Sequence, residues 1–340
     1  MKPENQVGSS GRGVGEVVHE RPELTVVLVN YNGAACLPRA LTALAHNTRA
    51  SAECIVVDSG SSDDSWLGAE RHWHRARVIR HEQNIGFCAG CNRGANAAEA
   101  PLVAFVNFDG EVESDWDVPL RSMLADPNIS IGGGMLVDPS GTLVEALGLA
   151  IAPNLATYGL HEAMAREQVV DSQIDVAAVS GALMMVRREE FLAAGGFYEP
   201  IWMYGEEADL AMRMPGRIVV DPRSALRHEI GHAAGPRASF TRVYWPSRNR
   251  LINAARHTRG RKLVGAVMAS AAFDLALIAA RRDLATTRAV CRGWRDGLWA
   301  MPMEMRASRS RDGTGTAREI VSLREALAQR RRLTRLQRLA

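Results

Sequence analysis

The clearest structural signal in the chain is LTVVLVNYNG, residues 24–33. Its first seven residues, Leu24–Asn30, are apolar and rich in β-branched side chains, which is typical of a buried β-strand. Two further apolar runs, CIVVD at 54–58 and LVAFVN at 102–107, predict further strands. Because these strands alternate with helical patterns over the first 110 residues, the sequence predicts an α/β fold with a Rossmann-like, mostly parallel sheet and helices on both faces.

The remaining elements follow from periodicity and from turn residues. We predict helices at 34–47, 62–74, 90–99, 191–196 and 206–214, and a short strand at 77–80. The run 176–187 is predicted as a strand or as strand-turn-strand, and Asp-Pro-Ser-Gly at 138–141 predicts a hairpin. After Trp245 the chain is predicted to be helical to its end, with breaks near 293–302 and 313–315.

Polar clusters follow three of the predicted strands. They are Asn30-Tyr31-Asn32-Gly33, Asp58-Ser59-Gly60-Ser61 and Asn107-Phe108-Asp109-Gly110. Ligands of open α/β sheets bind in the crevice outside the carboxyl ends of the strands. The topology alone therefore predicts a binding site at these three clusters.

Composition excludes several classes of protein. The chain has 340 residues, of which 46% are hydrophobic and 23% charged, so it is not mostly disordered, collagen-like or a multi-span membrane protein. Five cysteines do not make a disulfide framework, and residues 1–20 lack the apolar core of a secretory signal. We therefore expect a cytoplasmic location, with residues 1–22 as a flexible lead-in.

Charge is unevenly distributed along the chain. Residues 256–340 carry a formal charge of +12 and residues 1–255 carry −9, within a net charge of +3. Such a basic tail favours an anionic partner, which the sequence leaves open between lipid headgroups, nucleic acid and another protein. A solvated arginine-rich helix is the alternative.

The segment 263–280 is apolar except for Ser270 and Asp274. It is near the lower limit for crossing a bilayer, and a central aspartate opposes a span. A buried or oligomer-forming helix is the first expectation. An interfacial helix flanked by Arg281 and Arg282 is the functional alternative.

Six motifs in order carry a family resemblance. They are VVLVNYNG (26–33), IVVDSGSSDDS (55–65), NIGFCAGCNRG (84–94), VNFDG (106–110), SGALMMVRREEF (180–191) and GGFYEPIWMYGEEADLAMR (195–213). Over residues 23–253 the chain resembles the family 2 inverting glycosyltransferases of the GT-A fold, especially the bacterial branch that includes rhamnosyltransferases. The resemblance implies a nucleotide-sugar (donor) half at 23–128, an acceptor-binding and catalytic half at 129–255, and a helical basic extension at 256–340.

The resemblance implies a set of donor-binding residues. The set is Asn30, Tyr31, Asn32, Asp58, Ser59, Asn84, Gly86, Asn92, Asn107 and Asp109. Asp58 would accept a hydrogen bond from the pyrimidine N–H, although a turn or helix-cap aspartate is the alternative. Asn84, Gly86, Gly90 and Asn92 would form a tight loop against the donor.

Asn107-Phe108-Asp109 stands at the family's Asp-x-Asp metal motif, so Asp109 would be the surviving direct ligand of Mg²⁺ or Mn²⁺. Such a cation neutralises the diphosphate leaving group. By the same resemblance, His228 would meet the metal or the diphosphate. His232 lies four residues on, but the intervening Gly231 argues against a helical zinc site.

The acidic cluster Glu206, Glu207 and Asp209 matches the family's catalytic acids. The second acid, Glu207, would be the general base, but the family usually has aspartate there. Glu206 or Asp209 therefore stay open for this role, as does a purely helix-capping role for the cluster. Trp202 and Tyr204 would stack on the acceptor sugar or belong to the core.

Taken together, the resemblance implies that the protein is an inverting, metal-dependent glycosyltransferase. Rhamnose from dTDP-rhamnose is the favoured donor group and a UDP-sugar the next, with a bacterial cell-surface glycan or its lipid-linked precursor as acceptor. The substitutions at Glu207 and Asn107 leave a catalytically degenerate scaffold at the membrane as the rival. We expect the basic tail to meet an anionic membrane at the cytoplasmic face of the inner membrane, do not favour nucleic acid, and leave a homo-oligomer open.

Overall fold

Ten strands form one mixed sheet in the computed structural model, which describes residues 21–229 and 240–309. The strands are β1 Leu24–Asn30, β2 Ala52–Ser59, β3 Ala76–His81, β4 Leu102–Val106, β5 Gly110–Val112, β6 Ile129–Val137, β7 Val144–Ala146, β8 Leu149–Ile151, β9 Thr157–Gly159, β10 Ile174–Asp175, β11 Leu183–Arg187 and β12 Arg217–His228. The helices are α1 Leu37–Asn47, α2 Ala69–His72, α3 Gly86–Ala97, α4 Asp117–Leu124, α5 Arg188–Ala193, α6 Glu206–Arg213, α7 Phe240–His257, α8 Gly260–Arg281 and α9 Leu284–Arg309. β8 and β9 pair separately.

The first half of the sheet is parallel, in the order β3-β2-β1-β4. β1 is almost completely buried because its side chains are apolar on both faces. Its register with β2 sets Asn30 beside Asp58, so two predicted polar clusters meet at one sheet edge. The prediction that these strands end together is confirmed.

The second half of the sheet is mixed. β11 runs antiparallel between β4 and β6, and β6 pairs with β12 in parallel. The hairpin predicted at 138–141 is confirmed, since β6 and β7 pair across it. The predicted α/β class, with a mostly parallel sheet and a helical C-terminal region, is also confirmed.

Two predicted helix starts are wrong. Only Ala69–His72 of the predicted helix 62–74 is helical, because Asp63 accepts the backbone N–H groups of Ala34 and Ser65 and holds a turn there. Conversely, α3 begins at Gly86 rather than near residue 90. The predicted tight loop over 86–92 is therefore the first half of a helix.

Two further predictions near the carboxyl half need correction. Of the apolar run 176–187, only Leu183–Arg187 is a strand of the main sheet. No break occurs at 293–302, because α9 is continuous through it and packs along α7. A Cβ on Gly293 would lie 2.8 Å from the Tyr244 carbonyl oxygen, so glycine permits this close approach rather than ending the helix. The second predicted break, 313–315, lies outside the described residues.

Helix α8 differs from the expectation of a buried helix. Among its described side chains only Ala266, Ser270 and Asp274 are buried. By length and composition, α8 is the one helix in the described ranges that could cross a bilayer. It covers little of its own apolar surface within the chain.

Helix α3 packs tightly on β1 at Gly94, where an added Cβ would lie 2.3 Å from Val27 Cγ1. We expect Gly94→Ala to lower the free energy of unfolding by about 2 kcal/mol, because the buried valine has no room to move. Gly265→Ala is the control, since nothing lies within 4 Å of that position in α8. Urea unfolding should show the control unchanged or slightly more stable, and equal stability of Gly94→Ala would contradict the packing argument.

Candidate active site

A cavity of about 290 Å³ opens at the carboxyl ends of β1, β2 and β4. Among the predicted site residues, those that line it are Tyr31, Ser59, Asn84, Gly86, Asn107, Asp109, Trp202, Tyr204, Glu206, Glu207 and His228. Residues from both predicted halves of the chain thus surround one space. The cavity lies where the topology predicted a ligand site.

On the inner wall of the cavity, the side chain of His228 lies between those of Asp109 and Glu145 and contacts both. His228, at the end of β12, lies with Nε2 3.3 Å from Asp109 Oδ1 and Nδ1 2.9 Å from Glu145 Oε2. Asn107 Nδ2 is also 3.3 Å from His228 Nε2. Burial lowers the pKa of His228, but hydrogen bonds and charge from Asp109 and Glu145 outweigh it and raise that pKa to about 10.

This arrangement fits a divalent cation with few protein ligands. Asp109 and His228 would hold the cation, and Glu145 would orient the imidazole through Nδ1. Among the described residues, no group of three His, Cys, Asp or Glu has the geometry of a complete metal site. The remaining ligands would therefore have to come from phosphate oxygens and water.

Glu206 and Glu207 open helix α6 and face the same cavity. Burial raises the pKa of both carboxyl groups, and for Glu206 the charge of Glu207 raises it further. Within the described chain, one buried oxygen of each, Oε2, has no hydrogen-bond partner. A carboxylate of this kind can accept a proton from a ligand that fills the cavity.

Asp209 lies two residues after Glu207, but both of its carboxylate oxygens accept hydrogen bonds from basic side chains. Its Oδ1 accepts from Arg256 Nε at 2.7 Å and from His257 Nε2 at 2.8 Å, and its Oδ2 accepts from Arg213 Nη2 at 2.7 Å. Burial raises the pKa of Asp209, but the charge of the arginines and these hydrogen bonds outweigh it and hold that pKa far below the ordinary range. The site is fully buried and away from the cavity lining. Asp209 therefore anchors the helix, and this geometry offers no support for a base role.

The loop before α6 is held from behind by α7. Asn249 Nδ2 lies 2.8–2.9 Å from the carbonyl oxygens of Ile201, Met203 and Tyr204, and Asn253 Nδ2 donates to that of Gly205 at 2.8 Å. These hydrogen bonds hold in place a loop in which Trp202, Tyr204 and Gly205 have positive φ angles. The loop thereby presents aromatic rings to the cavity.

Trp202 is both a cavity wall and a packed residue. Its ring stacks on Trp245 with centroids 5.7 Å apart and planes 5° from parallel. Burial raises the pKa of Tyr204 to about 12. The stacking agrees with the core interpretation for Trp202, and the acceptor-platform role of the two aromatic residues stays a prediction.

Asn30, Asn32 and Asp58 form a hydrogen-bonded layer next to the cavity and are not among its lining residues. Asn30 Nδ2 donates to Asp58 Oδ1 at 2.8 Å, and Ser61 Oγ donates to the same oxygen at 2.6 Å. Asn32 accepts the backbone N–H of Ser62 at 2.8 Å. This network joins the first two strand ends, and the predicted pyrimidine contact of Asp58 stays a prediction.

Asn92 lies in the middle of α3, on the side away from the cavity lining. Its amide forms a reciprocal pair with the backbone of Phe197, at 2.8 Å in both directions. Asn92 thus joins α3 to the segment after α5. This contact gives a structural reason for the asparagine, and a donor contact is not part of it.

Sequence reasoning missed Glu145 and the asparagine pair on α7. Glu145 is a lone acid in a short strand, and only the pairing of β6 with β7 brings it to His228. Arg242 also lines the cavity, and its guanidinium is a further group that sequence reasoning did not single out. His232 lies outside the described residues.

The chain is similar in sequence to known proteins. The model of the family described as "Glycosyl transferase family 2" matches residues 25–189. An N-acetylglucosaminyl-diphospho-decaprenol L-rhamnosyltransferase of Mycobacterium tuberculosis is 26% identical over 241 residues, which cover 62% of this chain and 78% of that protein.

Solved structures show the same fold. GalNAc-T7 with UDP, GalNAc and Mn²⁺ matches with a TM-score of 0.56 at 16% identity, over 70% of this chain and 48% of that one. S. aureus TarS 1-349 in complex with UDP-GlcNAc matches with a TM-score of 0.54 at 16% identity, over 84% and 83%. The mannosyltransferase PcManGT from Pyrobaculum calidifontis, with GDP-Man and Mn²⁺, gives 0.51 at 17% identity, over 86% and 85%.

The opposite surroundings of Asp209 and Glu207 predict opposite effects on stability. Asp209→Ala leaves Arg213 and Arg256 buried without their carboxylate, and we expect the free energy of unfolding to fall by about 3–5 kcal/mol. Glu207→Gln keeps the shape of the side chain and removes a charge whose burial is unfavourable, so its melting temperature should equal or exceed that of the wild type. Chemical and thermal unfolding of both variants measure this, and a destabilised Glu207→Gln would contradict it.

Proposed function

The chain belongs to glycosyl transferase family 2, and from this premise we propose that it is an inverting transferase for a nucleotide-diphosphate sugar. The observation that carries the proposal is one cavity that holds both a proton acceptor, Glu207, and an Asp109–His228 pair suited to a cation. An inverting displacement needs these two functions on opposite sides of the anomeric carbon.

The donor is proposed to be dTDP-rhamnose, with a UDP-sugar as the next choice. The M. tuberculosis relative, by its name, transfers L-rhamnose, and TarS was solved with UDP-GlcNAc. Tyr31, Ser59 and Asn84 line the cavity next to the Asn30–Asp58 layer. The nucleotide is proposed to lie here, because ligands of open α/β sheets bind outside the carboxyl ends of the strands. The sugar and diphosphate would extend from there towards Asp109.

The diphosphate end is proposed to lie against Asp109, His228 and Arg242. When bound, Mg²⁺ or Mn²⁺ would be held by Asp109 and His228 and would supply charge neutralisation for the departing diphosphate. Two of the neighbours matched above were solved with Mn²⁺. Glu145 keeps the His228 ring oriented, since it holds Nδ1 at 2.9 Å.

Glu207 is proposed as the base. It takes the proton of the acceptor hydroxyl while that oxygen bonds to the anomeric carbon, and the bond from this carbon to the diphosphate oxygen breaks. Its Oε2 has no partner in the described chain, so it is ready to accept. Burial and the charge of Glu207 raise the pKa of Glu206, and Asp209 holds the helix through Arg213, Arg256 and His257.

The acceptor is proposed to be a bacterial cell-surface glycan or its lipid-linked precursor. The support is the name of the M. tuberculosis relative, a diphospho-decaprenol-linked sugar acceptor. Trp202 and Tyr204 would supply the apolar and hydrogen-bonding surfaces on which a sugar ring stacks. We place the enzyme in the cytoplasm, peripheral to the inner face of the membrane.

Donor binding is tested by thermal shift with a panel of nucleotide sugars, with and without Mn²⁺. The preferred donor should raise the melting temperature most, and only with metal, because ligands that bind the folded state stabilise it. Asp109→Ala should lose the metal-dependent part of this shift. Asp171→Ala, which removes an exposed carboxylate outside the cavity lining, is the control. Equal shifts with and without Mn²⁺ would exclude the proposed cation site.

Catalysis is tested by donor hydrolysis or transfer in Glu207→Gln. We expect kcat to fall by about 10²–10⁴, since the amide cannot accept the proton, while the donor-dependent thermal shift is kept. Wild-type kcat should also fall as pH drops through the raised pKa of the Glu206–Glu207 pair, because protonation removes the base.

Glu189→Gln, an exposed acid on α5, is the matched control and should leave kcat unchanged. Full activity in Glu207→Gln would exclude this residue as the base. Donor binding without any turnover by the wild type would favour the scaffold function instead.

A further inference from the structure

In helix α8 the polar side chains are buried and several apolar side chains are exposed, which is the opposite of a helix on a water-exposed surface. The only polar side chains between residues 263 and 280, Ser270 and Asp274, are buried. Val264, Met268 and Leu275 are 63%, 65% and 67% exposed. A surface helix of a soluble domain normally turns its apolar stripe inwards and its polar side chains outwards.

The exposed apolar residues form a continuous strip. Val264, Met268 and Leu275 are spaced by four and seven residues, which places them on one helical face. The other outward positions of this segment are glycine, alanine and other apolar residues. At a rise of 1.5 Å per residue, the uncharged surface is about 27 Å long.

Near the middle of α8, hydrogen bonds of its buried face hold the helix against α7 and α9. Asp274 Oδ1 accepts from Arg250 Nη2 at 2.6 Å, and its Oδ2 accepts from Trp294 Nε1 at 2.7 Å. Both oxygens are thus bound to α7 and α9, away from the exposed strip. Crossing a bilayer would require α8 to leave these partners with a charged aspartate at mid-span. The helix therefore lies along the domain surface.

Exposed cations stand at both ends of the strip. Arg261 and Lys262 precede it, and Arg281 and Arg282 follow it, with Asp283 capping α9 next to them. Pairing α8 with a second copy would set cationic ends against cationic ends in either a parallel or an antiparallel arrangement, which is repulsive. An apolar surface between two basic ends is complementary to an anionic bilayer.

We propose that the α8 strip, the outward face of residues 263–280, is a membrane-docking surface. The helix lies in the plane of an anionic bilayer, with Val264, Met268 and Leu275 in the boundary between headgroups and acyl chains. The arginines and Lys262 at its ends contact lipid phosphates. This inference needs neither donor nor acceptor, so it stands or falls separately from the proposed chemistry.

The experiment is flotation of the full chain with vesicles of phosphatidylcholine alone or with phosphatidylglycerol. The wild type should float with the anionic vesicles. Met268→Glu/Leu275→Glu should reduce the bound-to-free ratio by about tenfold, because two carboxylates would enter the headgroup boundary. Leu67→Glu/Val170→Glu adds the same charge at exposed apolar sites elsewhere and should float like the wild type.

Both variants must melt like the wild type, which separates docking from unfolding. Flotation of the α8 variant at the wild-type level would overturn the proposal, since the arginines of residues 310–340 would then carry the binding. Absence of wild-type flotation would overturn it as well. A dimer found by sedimentation equilibrium would also overturn the proposal if the α8 substitutions abolish it, because the strip would then be a contact between two copies of the chain.

Discussion

The active-site helix depends on one buried carboxylate. Asp209 accepts hydrogen bonds from Arg213 in its own helix and from Arg256 and His257 at the end of α7. Arg256 also forms an ion pair with Glu304 of α9, in which Nη1 lies 3.2 Å from Oε2. Because an unpaired buried charge is strongly unfavourable, α6, α7 and α9 hold one relative position. The helical C-terminal region thus helps to hold α6 at the cavity, although the family model matches only residues 25–189.

This constraint separates the functions of three neighbouring acids. Glu206 and Glu207 lie at the start of α6, where burial raises the pKa of each carboxyl group. Asp209, on the inner face, accepts hydrogen bonds from Arg213, Arg256 and His257, and its pKa is lowered. The side chains are chemically alike, and their environments favour the proposed base in the cavity and an anchor in the interior. Glu207, the proposed base, follows a loop that Asn249 and Asn253 hold in place.

The strand ends could be predicted from sequence because they depend on local patterns. Apolar runs that stop at Asn30 and Asp58 predict strands, and parallel pairing then brings those ends together. Glu145 could not be found this way, because its contact with His228 joins residues 83 apart and depends on a hairpin. The glycines at 86 and 90 suggest a tight loop, whereas helix α3 begins at Gly86. Within this helix, Gly94 lets α3 lie close against Val27 of β1.

Helix α7 connects the cavity with the outer surface of the molecule. On one side Asn249 holds the carbonyl oxygens of the loop that carries Trp202 and Tyr204. On another side Arg250 holds Asp274 of α8. Adjacent residues of one helix therefore hold both the aromatic wall of the cavity and the α8 strip. If the strip lies on a bilayer, this short connection orients the cavity relative to the membrane surface, which suits an acceptor presented on a lipid carrier. A basic tail alone would attract the protein to the same surface but would not orient it, because a long-range charge attraction does not select one face.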